Sequence, residues 1–213
     1  MKKIVSFLMT MCMLVCAACA ADKAPETIKL PEPSKDGMSL MQALQLRQSQ
    51  REYLDKEISE QDLSNLLWAA FGINRKEEGK RTAPSGSNRQ EIEIYAVFKY
   101  GIYHYDAVRH QLDLVAEGDH RSLTGRGFAA TAPLNLLFMA DTDKTGPGDK
   151  EGSANTVSYV DVGYISQNVY LYCATAGMGT VARGGWDQAK LIEVMKIKPA
   201  CICVLGQSVG YVE

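Results

Sequence analysis

Residues 133–141, PLNLLFMAD, are apolar at almost every position. A strand with one wet face would alternate, so a run of this kind requires cover on both sides. The chain must therefore supply layers of other elements above and below a central strand. It has the material: Leu63, Leu66, Leu67, Ala70 and Phe71 recur at helical spacing, while EIEIYAVFKY from Glu91 switches to a period of two, with Ile92, Ile94, Ala96 and Phe98 on one face. GIYHYD follows as a second β segment. A long helix is expected over 156–176, ending at Gly177, then a short strand through 180–182, a helix at 187–196 and a strand at 199–205. Strands interspersed with helices imply an α+β class with a mixed central β-sheet flanked by helices.

Two helix starts are marked by capping patterns, Ser39 with Gln42 and Ser59 with Asp62, and the second helix stops at Gly72. The stretch RKEEGKR at 75–81 reads as a solvated loop. At the N-terminus, Lys2 and Lys3 precede an apolar run from Ile4 to Cys16 and then Ala17, Ala18, Cys19, Ala20 and Ala21. This is the order of a secretory signal, and the run is too short to span a bilayer. Residues 1–20 are accordingly expected to be a signal peptide, 21–38 a Pro-rich tether, and 39–213 the folded domain. The protein is then exported, as a periplasmic protein cleaved after Ala20 or as a lipoprotein anchored to the membrane through Cys19.

With 23 basic against 25 acidic residues and a pI near 6.0, the chain has no charge excess that would favour nucleic acid. Three cysteines remain beyond the leader, Cys173, Cys201 and Cys203, an odd number that argues against a disulfide framework. Cys201 and Cys203 alternate within ACICVLG and read as buried thiols on one strand face. Asp141, Asp143 and Thr145 copy the opening of a calcium loop, but Gly152 stands where the bidentate Glu belongs. His104, His110 and His120 have no ligand spacing. Metal binding is not expected at either place.

Three segments could carry chemistry. In LRQSQREY, Arg47, Ser49 and Arg51 alternate where a helix gives way to extended chain; two guanidiniums and a hydroxyl on one side suit a phosphate, and a solvated basic turn reads the same way. RTAPSGSNRQ places the amides of Asn88 and Gln90 just before a strand, suited to the polar edge of a heteroaromatic ring or to an ordinary turn. GMGTVARGGW brings Gly184 and Gly185 into a turn whose backbone could lie against a ligand or serve only as a connection.

Taken in order, these segments resemble the flavin-dependent nitroreductase family, and within it the SagB-type dehydrogenase branch. LRQSQREY resembles the R-x-S-x-R motif, LLWAAFGI the helix end that follows it, PSGSNRQ the P-S-x-x-N-x-Q loop, and YISQNVYLYCATAGMGTVARGG the segment before the flavin's glycine turn. The resemblance spans about residues 41–207. It implies a homodimer holding FMN at its interface, with Arg47, Gln48, Ser49 and Arg51 on the phosphate and ribityl chain, Asn88 and then Gln90 on the isoalloxazine, and the backbone of Gly184 and Gly185 at its edge. It also implies an oxidoreductase that passes electrons from a small-molecule donor to an acceptor such as a nitroaromatic or quinone. The alternatives are a SagB-like dehydrogenase of a peptide or small molecule, and a redox-inactive cell-surface binding protein. Relatives often complete the phosphate site with C-terminal basic residues. Here none follows Lys198, which implies either a weaker grip on the phosphate or Arg183 as the substitute.

Overall fold

The computed structural model describes residues 23–146, 148 and 153–213. Residues 1–20, expected as a leader and containing Cys12, Cys16 and Cys19, lie outside the described residues. In chain order the elements are β1 (Thr27–Lys29), α1 (Leu40–Leu46), α2 (Glu60–Phe71), β2 (Ile73–Arg75), β3 (Lys80–Arg81), β4 (Ile92–Phe98), β5 (Gly101–Asp106), β6 (Gln111–Glu117), α3 (Arg121–Thr124), α4 (Phe128–Thr131), β7 (Leu134–Asp141), α5 (Thr142–Thr145), α6 (Thr156–Thr175), β8 (Met178–Arg183), α7 (Gln188–Met195) and β9 (Cys201–Tyr211). Seven strands form the central sheet in the order β1-β6-β5-β4-β7-β9-β8.

Every pairing in this sheet is antiparallel, which corrects the expectation of a mixed sheet. The reason lies in the last strand. β7 and β8 would be parallel neighbours across the α6 connection, but β9 inserts between them and pairs with both. Residues 206–209 of this eleven-residue strand pair with β7 on one edge and β8 on the other.

β7 confirms the two-sided cover. All eight of its residues are buried. Leu134, Leu136, Phe138 and Ala140 face a core shared with α2 and α6, while Leu137 and Met139 face a second core closed by Leu191 and Met195 of α7. Ile92, Ile94, Ala96 and Phe98 of β4 enter the first core together, as the period of two requires. Cys201 and Cys203 share the second, and both are free and buried.

Both capping residues are found. Ser39 makes the full reciprocal box with Gln42. Ser59 accepts from the Asp62 backbone N–H, but its own N–H donates to the Tyr211 hydroxyl at 3.1 Å, so the terminal strand completes the cap instead of the Asp62 side chain. The Asp62 carboxylate accepts the Ser59 hydroxyl at 2.7 Å together with the hydroxyls of Tyr211 and Tyr172, and it joins the first turn of α2 to both β9 and α6.

The segment expected as a tether is in part a sheet edge. Thr27, Ile28 and Lys29 pair with Asp113, Leu112 and Gln111 of β6, and Ala24 and Leu30 are buried. Three residues are too few to carry a readable period, so this pairing is set by the exposed edge of β6. The charged stretch at 75–81 is likewise not plain loop: β2 and β3 form a small hairpin around the left-handed Gly79.

Candidate active site

The segment after α1 runs extended along the open edge of the sheet. The Gln50 N–H donates to the Thr180 carbonyl at 3.0 Å, and the Leu54 N–H to the Tyr211 carbonyl at 2.9 Å. Anchored at those two points, residues 47–53 leave Gln48, Ser49, Arg51 and Glu52 exposed and Arg47, Gln50 and Tyr53 half-buried. Arg47, the C-cap of α1, places its guanidinium 5.3 Å from the ring centroid of Tyr170 on α6. Ser49 Oγ lies 3.0 Å from the Tyr170 hydroxyl, which also accepts the Ala182 N–H at 2.9 Å. Tyr170 thus binds the Arg47–Ser49 segment to the strand that leads into Gly184 and Gly185. Gln48 is exposed beside them.

Arg51 is exposed and points to the glycine turn. Together with Arg126, Phe128, Arg183, Gly184, Gly185 and Trp186 it lines an open cleft of about 600 Å³. Three guanidiniums converge there and no carboxylate lines it. Two of them, Arg51 and Arg126, make no hydrogen bond or ion pair with the described residues. The third is spent. Arg183 donates to Ser208 Oγ at 2.9 Å, to Thr124 Oγ1 at 3.0 Å, to Asn135 Oδ1 at 2.5 Å and to the Thr124 carbonyl. Gly125 and Gly206 leave room for it, since a Cβ at either would fall within 3 Å of its Nη1. Arg183 therefore ties α3, β7, β8 and β9 together, and burial lowers its pKa from the usual arginine range. It does not offer the free donors expected of a substitute phosphate ligand, whereas Arg126 does.

Gly185 adopts φ +94°, a conformation glycine reaches without strain, and a Cβ at Gly184 would meet only Trp186, at 3.9 Å. Above the turn the backbone is open to the cleft.

The third segment lies elsewhere in the protomer. The 84–90 loop docks on the N-terminal part of α6, where the Gly86 N–H donates to Asp161 Oδ2 at 2.8 Å. Tyr170 is nine residues further along the same helix, about 13 Å at the α-helical rise. Asn88 is exposed, with φ +53°. Gln90 is not free: its Oε1 accepts from Arg81 Nε at 2.8 Å and its Nε2 donates to the Gly79 carbonyl at 2.9 Å and to Asn88 Oδ1 at 3.2 Å. The amide belongs to the loop's own scaffold. The structure thus joins Arg47, Ser49, Arg51, Gly184 and Gly185 along one edge and keeps Asn88 and Gln90 apart from them.

The nitroreductase family's sequence profile matches residues 44–211, the span that contains all of these positions. The chain belongs to the nitroreductase family. It is 28% identical over 197 residues to the Methanocaldococcus jannaschii protein MJ1384, named as a nitroreductase, covering 86% of this chain and 98% of that one. A crystal structure of a Ralstonia eutropha JMP134 protein described as a nitroreductase superposes with a TM-score of 0.81 at 39% identity, over 89% of this chain and 90% of that one. The fold also matches a chain of the Escherichia coli microcin synthetase McbBCD complex, with a TM-score of 0.64 at 16% identity, over 98% and 85% of the two chains.

Within this nitroreductase fold, the residues that sequence reasoning missed are Arg126, Tyr170 and Asp161. Tyr170 lies inside a segment already singled out, but a helical period reports only which face it occupies. Arg126 sits between Gly125 and Gly127, and that G-R-G spacing was the available signal. The histidines are all bound into the protein: His104 to Glu93, His110 to Ser64 and Tyr105, and His120 to the Glu117 carbonyl. Asp141 and Asp143 share the ammonium of Lys198.

Proposed function

We propose that the protein is an FMN-dependent oxidoreductase that takes electrons from a small-molecule donor and passes them to an acceptor such as a nitroaromatic or quinone. The observation that carries this reading is the pair of unpaired guanidiniums, Arg51 and Arg126, at a cleft floored by Gly184 and Gly185 and joined through Tyr170 to Arg47 and Ser49. The donor set suits the phosphate of FMN, and a turn without Cβ atoms suits a flat ring. FMN, when bound, supplies the redox chemistry. The chain's own work is to neutralise the phosphate through Arg47 and Arg51 and hydrogen-bond it through Ser49, to admit the ring at Gly184 and Gly185, and to screen one side of it with Trp186. Within the family, the motif wording favours the SagB-type branch, with a peptide or small molecule as the compound oxidised.

The active unit is a homodimer in this reading. The outward faces of α1 and α6 carry Leu40, Met41, Leu44, Val157, Tyr159, Val160 and Tyr164, all exposed in the single chain. A second copy would cover them, and could bring its Asn88 loop to a glycine turn that this loop does not reach within one protomer. The leader at 1–20 supports export, as a periplasmic protein or a lipoprotein anchored through Cys19.

The test is direct. The purified chain should show flavin absorption bands, or regain them when FMN is added. A colourless protein that refuses FMN would overturn the redox reading and leave a binding protein on the same fold.

A further inference from the structure

The backbone of the loop that carries Asn88 is held in an unfavourable conformation. Ser87, Asn88 and Gln90 have φ of +54°, +53° and +48°. Side chains rarely adopt such angles. The loop's own bonds, from the Gln90 N–H to Ser85 Oγ at 3.0 Å and from the Asn88 N–H to the Ser85 carbonyl at 2.9 Å, shape it, while its contacts with the rest of the fold fix where it sits. Its hold on α6 is the bond from the Gly86 N–H to Asp161 Oδ2. At that point the backbone is so close that a Cβ on Gly86 would lie 2.4 Å from Val157 Cγ1.

Beneath this contact lies Glu91, the residue that closes the loop and precedes β4. It is fully buried, as Asp161 nearly is, and its carboxyl faces Asp161 and Ser158 of α6. Neither of its oxygens has a hydrogen-bond partner among the described residues. Of the other charged groups around the loop, Arg89 is exposed and makes no side-chain hydrogen bond or ion pair with the described residues, and the rest are bonded to groups other than the Glu91 carboxyl. Lys144 of α5 donates to the Gln90 carbonyl and to Glu93 Oε1, Lys198 bridges Asp141 and Asp143, and Arg81 is held by Gln90 and Phe71. The Glu91 carbonyl accepts the Asp141 N–H, which fixes the strand end but adds no cation.

Two adjacent carboxyls sealed from water cannot both ionise without a large cost, so the pair holds one proton. Asp161 accepts the Gly86 N–H and is the better placed to carry the charge, which leaves the proton on Glu91. We propose that Glu91, protonated, and Asp161 act as a positioning pair that clamps residues 84–90, and with them Asn88, onto α6, and that loss of the Glu91 proton loosens the clamp. Burial, and next to it the Asp161 charge, raises the Glu91 pKa, in keeping with this. A carboxyl with a raised folded-state pKa costs nothing below the ordinary glutamate range. The penalty grows as pH rises above that range and levels off once the folded-state pKa is passed.

That the clamp serves a flavin contact by Asn88 rests on the function proposed above; the clamp itself does not. Hydrogen exchange of the amides of residues 85–90, corrected for intrinsic rates, tests it on the purified full chain with and without added FMN. In the wild type, protection of Gly86 should fall by about tenfold or more between pH 5 and 9. Glu91→Gln and Asp161→Asn each remove the second charge, and both should hold the protection flat across that range. Asp161→Ala should lose it at every pH. A wild type whose protection does not change with pH, the same pH dependence in Glu91→Gln and Asp161→Asn as in the wild type, or full protection in Asp161→Ala would each overturn the proposal. Failure to bind FMN would leave these outcomes unaffected and would count against the flavin reading alone.

Discussion

Arg47 lies over the ring of Tyr170, and the Tyr170 hydroxyl receives the backbone N–H of Ala182. One phenol thus sets both the cation expected at the phosphate and the strand that ends in the glycine turn. Charge-assisted hydrogen bonds contribute about 1.5–3 kcal/mol each. Arg47→Ala should therefore weaken FMN binding by roughly tenfold to a hundredfold in a fluorescence titration. Tyr170→Phe keeps the ring under Arg47 but leaves the Ala182 N–H without its partner, so it should cost about 1–3 kcal/mol in urea unfolding. Unchanged FMN affinity in Arg47→Ala would remove Arg47 from the site.

The glycine turn offers two substitutions with different meanings. Gly185→Val forces a side chain into φ +94° and is strained whether or not a ligand is present, whereas Gly184 has room for a Cβ and no such angle. Gly184→Val should thus leave circular dichroism and thermal midpoint near the wild type while lowering flavin occupancy. Normal occupancy would mean that the isoalloxazine lies elsewhere.

Arg126 and Arg51 reach the cleft without a side-chain hydrogen bond or ion pair to the described residues. Replacing either by Gln should lower flavin affinity and weaken its dependence on salt, because each cation removed takes one screened attraction with it. Arg183→Gln should instead destabilise the fold by about 2–4 kcal/mol, since Asn135, Ser208 and Thr124 lose their shared donor. Equal effects of all three on binding, with none on stability, would contradict this division of labour.

Light scattering on the folded domain should give about twice the monomer mass. The pair Val160→Lys with Tyr164→Glu, on the outward face of α6, should shift it to monomer. If the wild type is a monomer that binds FMN tightly, the site does not need a second chain.

Glu93 gives an acid limb of known sign. Burial would raise its pKa, but hydrogen bonds from His104 and Lys144 outweigh it and hold the carboxyl at about 2. Its stabilising contribution is present above the ordinary glutamate pKa and is lost as pH falls from there towards about 2. Glu93→Gln should flatten the loss of stability over that interval, measured by urea unfolding at a series of pH values. An unaltered pH profile would show that the two bonds do not favour the charged form.

What the sequence determined by itself is whatever is written in local periods and caps. The unbroken apolar run at 133–141 required two layers of cover, the period of two placed Ile92, Ile94, Ala96 and Phe98 in one core, and Ser39 and Ser59 marked helix starts, because each of these depends on residues a few positions apart. The residues Arg47, Ser49 and Arg51 stood out in the same way, as two guanidiniums and a hydroxyl within five positions. The tertiary structure decided what depends on partners distant in the chain. β9 entered between β7 and β8 and made the sheet antiparallel; three residues of the expected tether found the edge of β6; Arg183 was consumed by Thr124, Asn135 and Ser208 while Arg126 was left free. Spacing tells which side chains share a face, but a hydrogen bond or a buried charge is settled by whatever the fold sets opposite it.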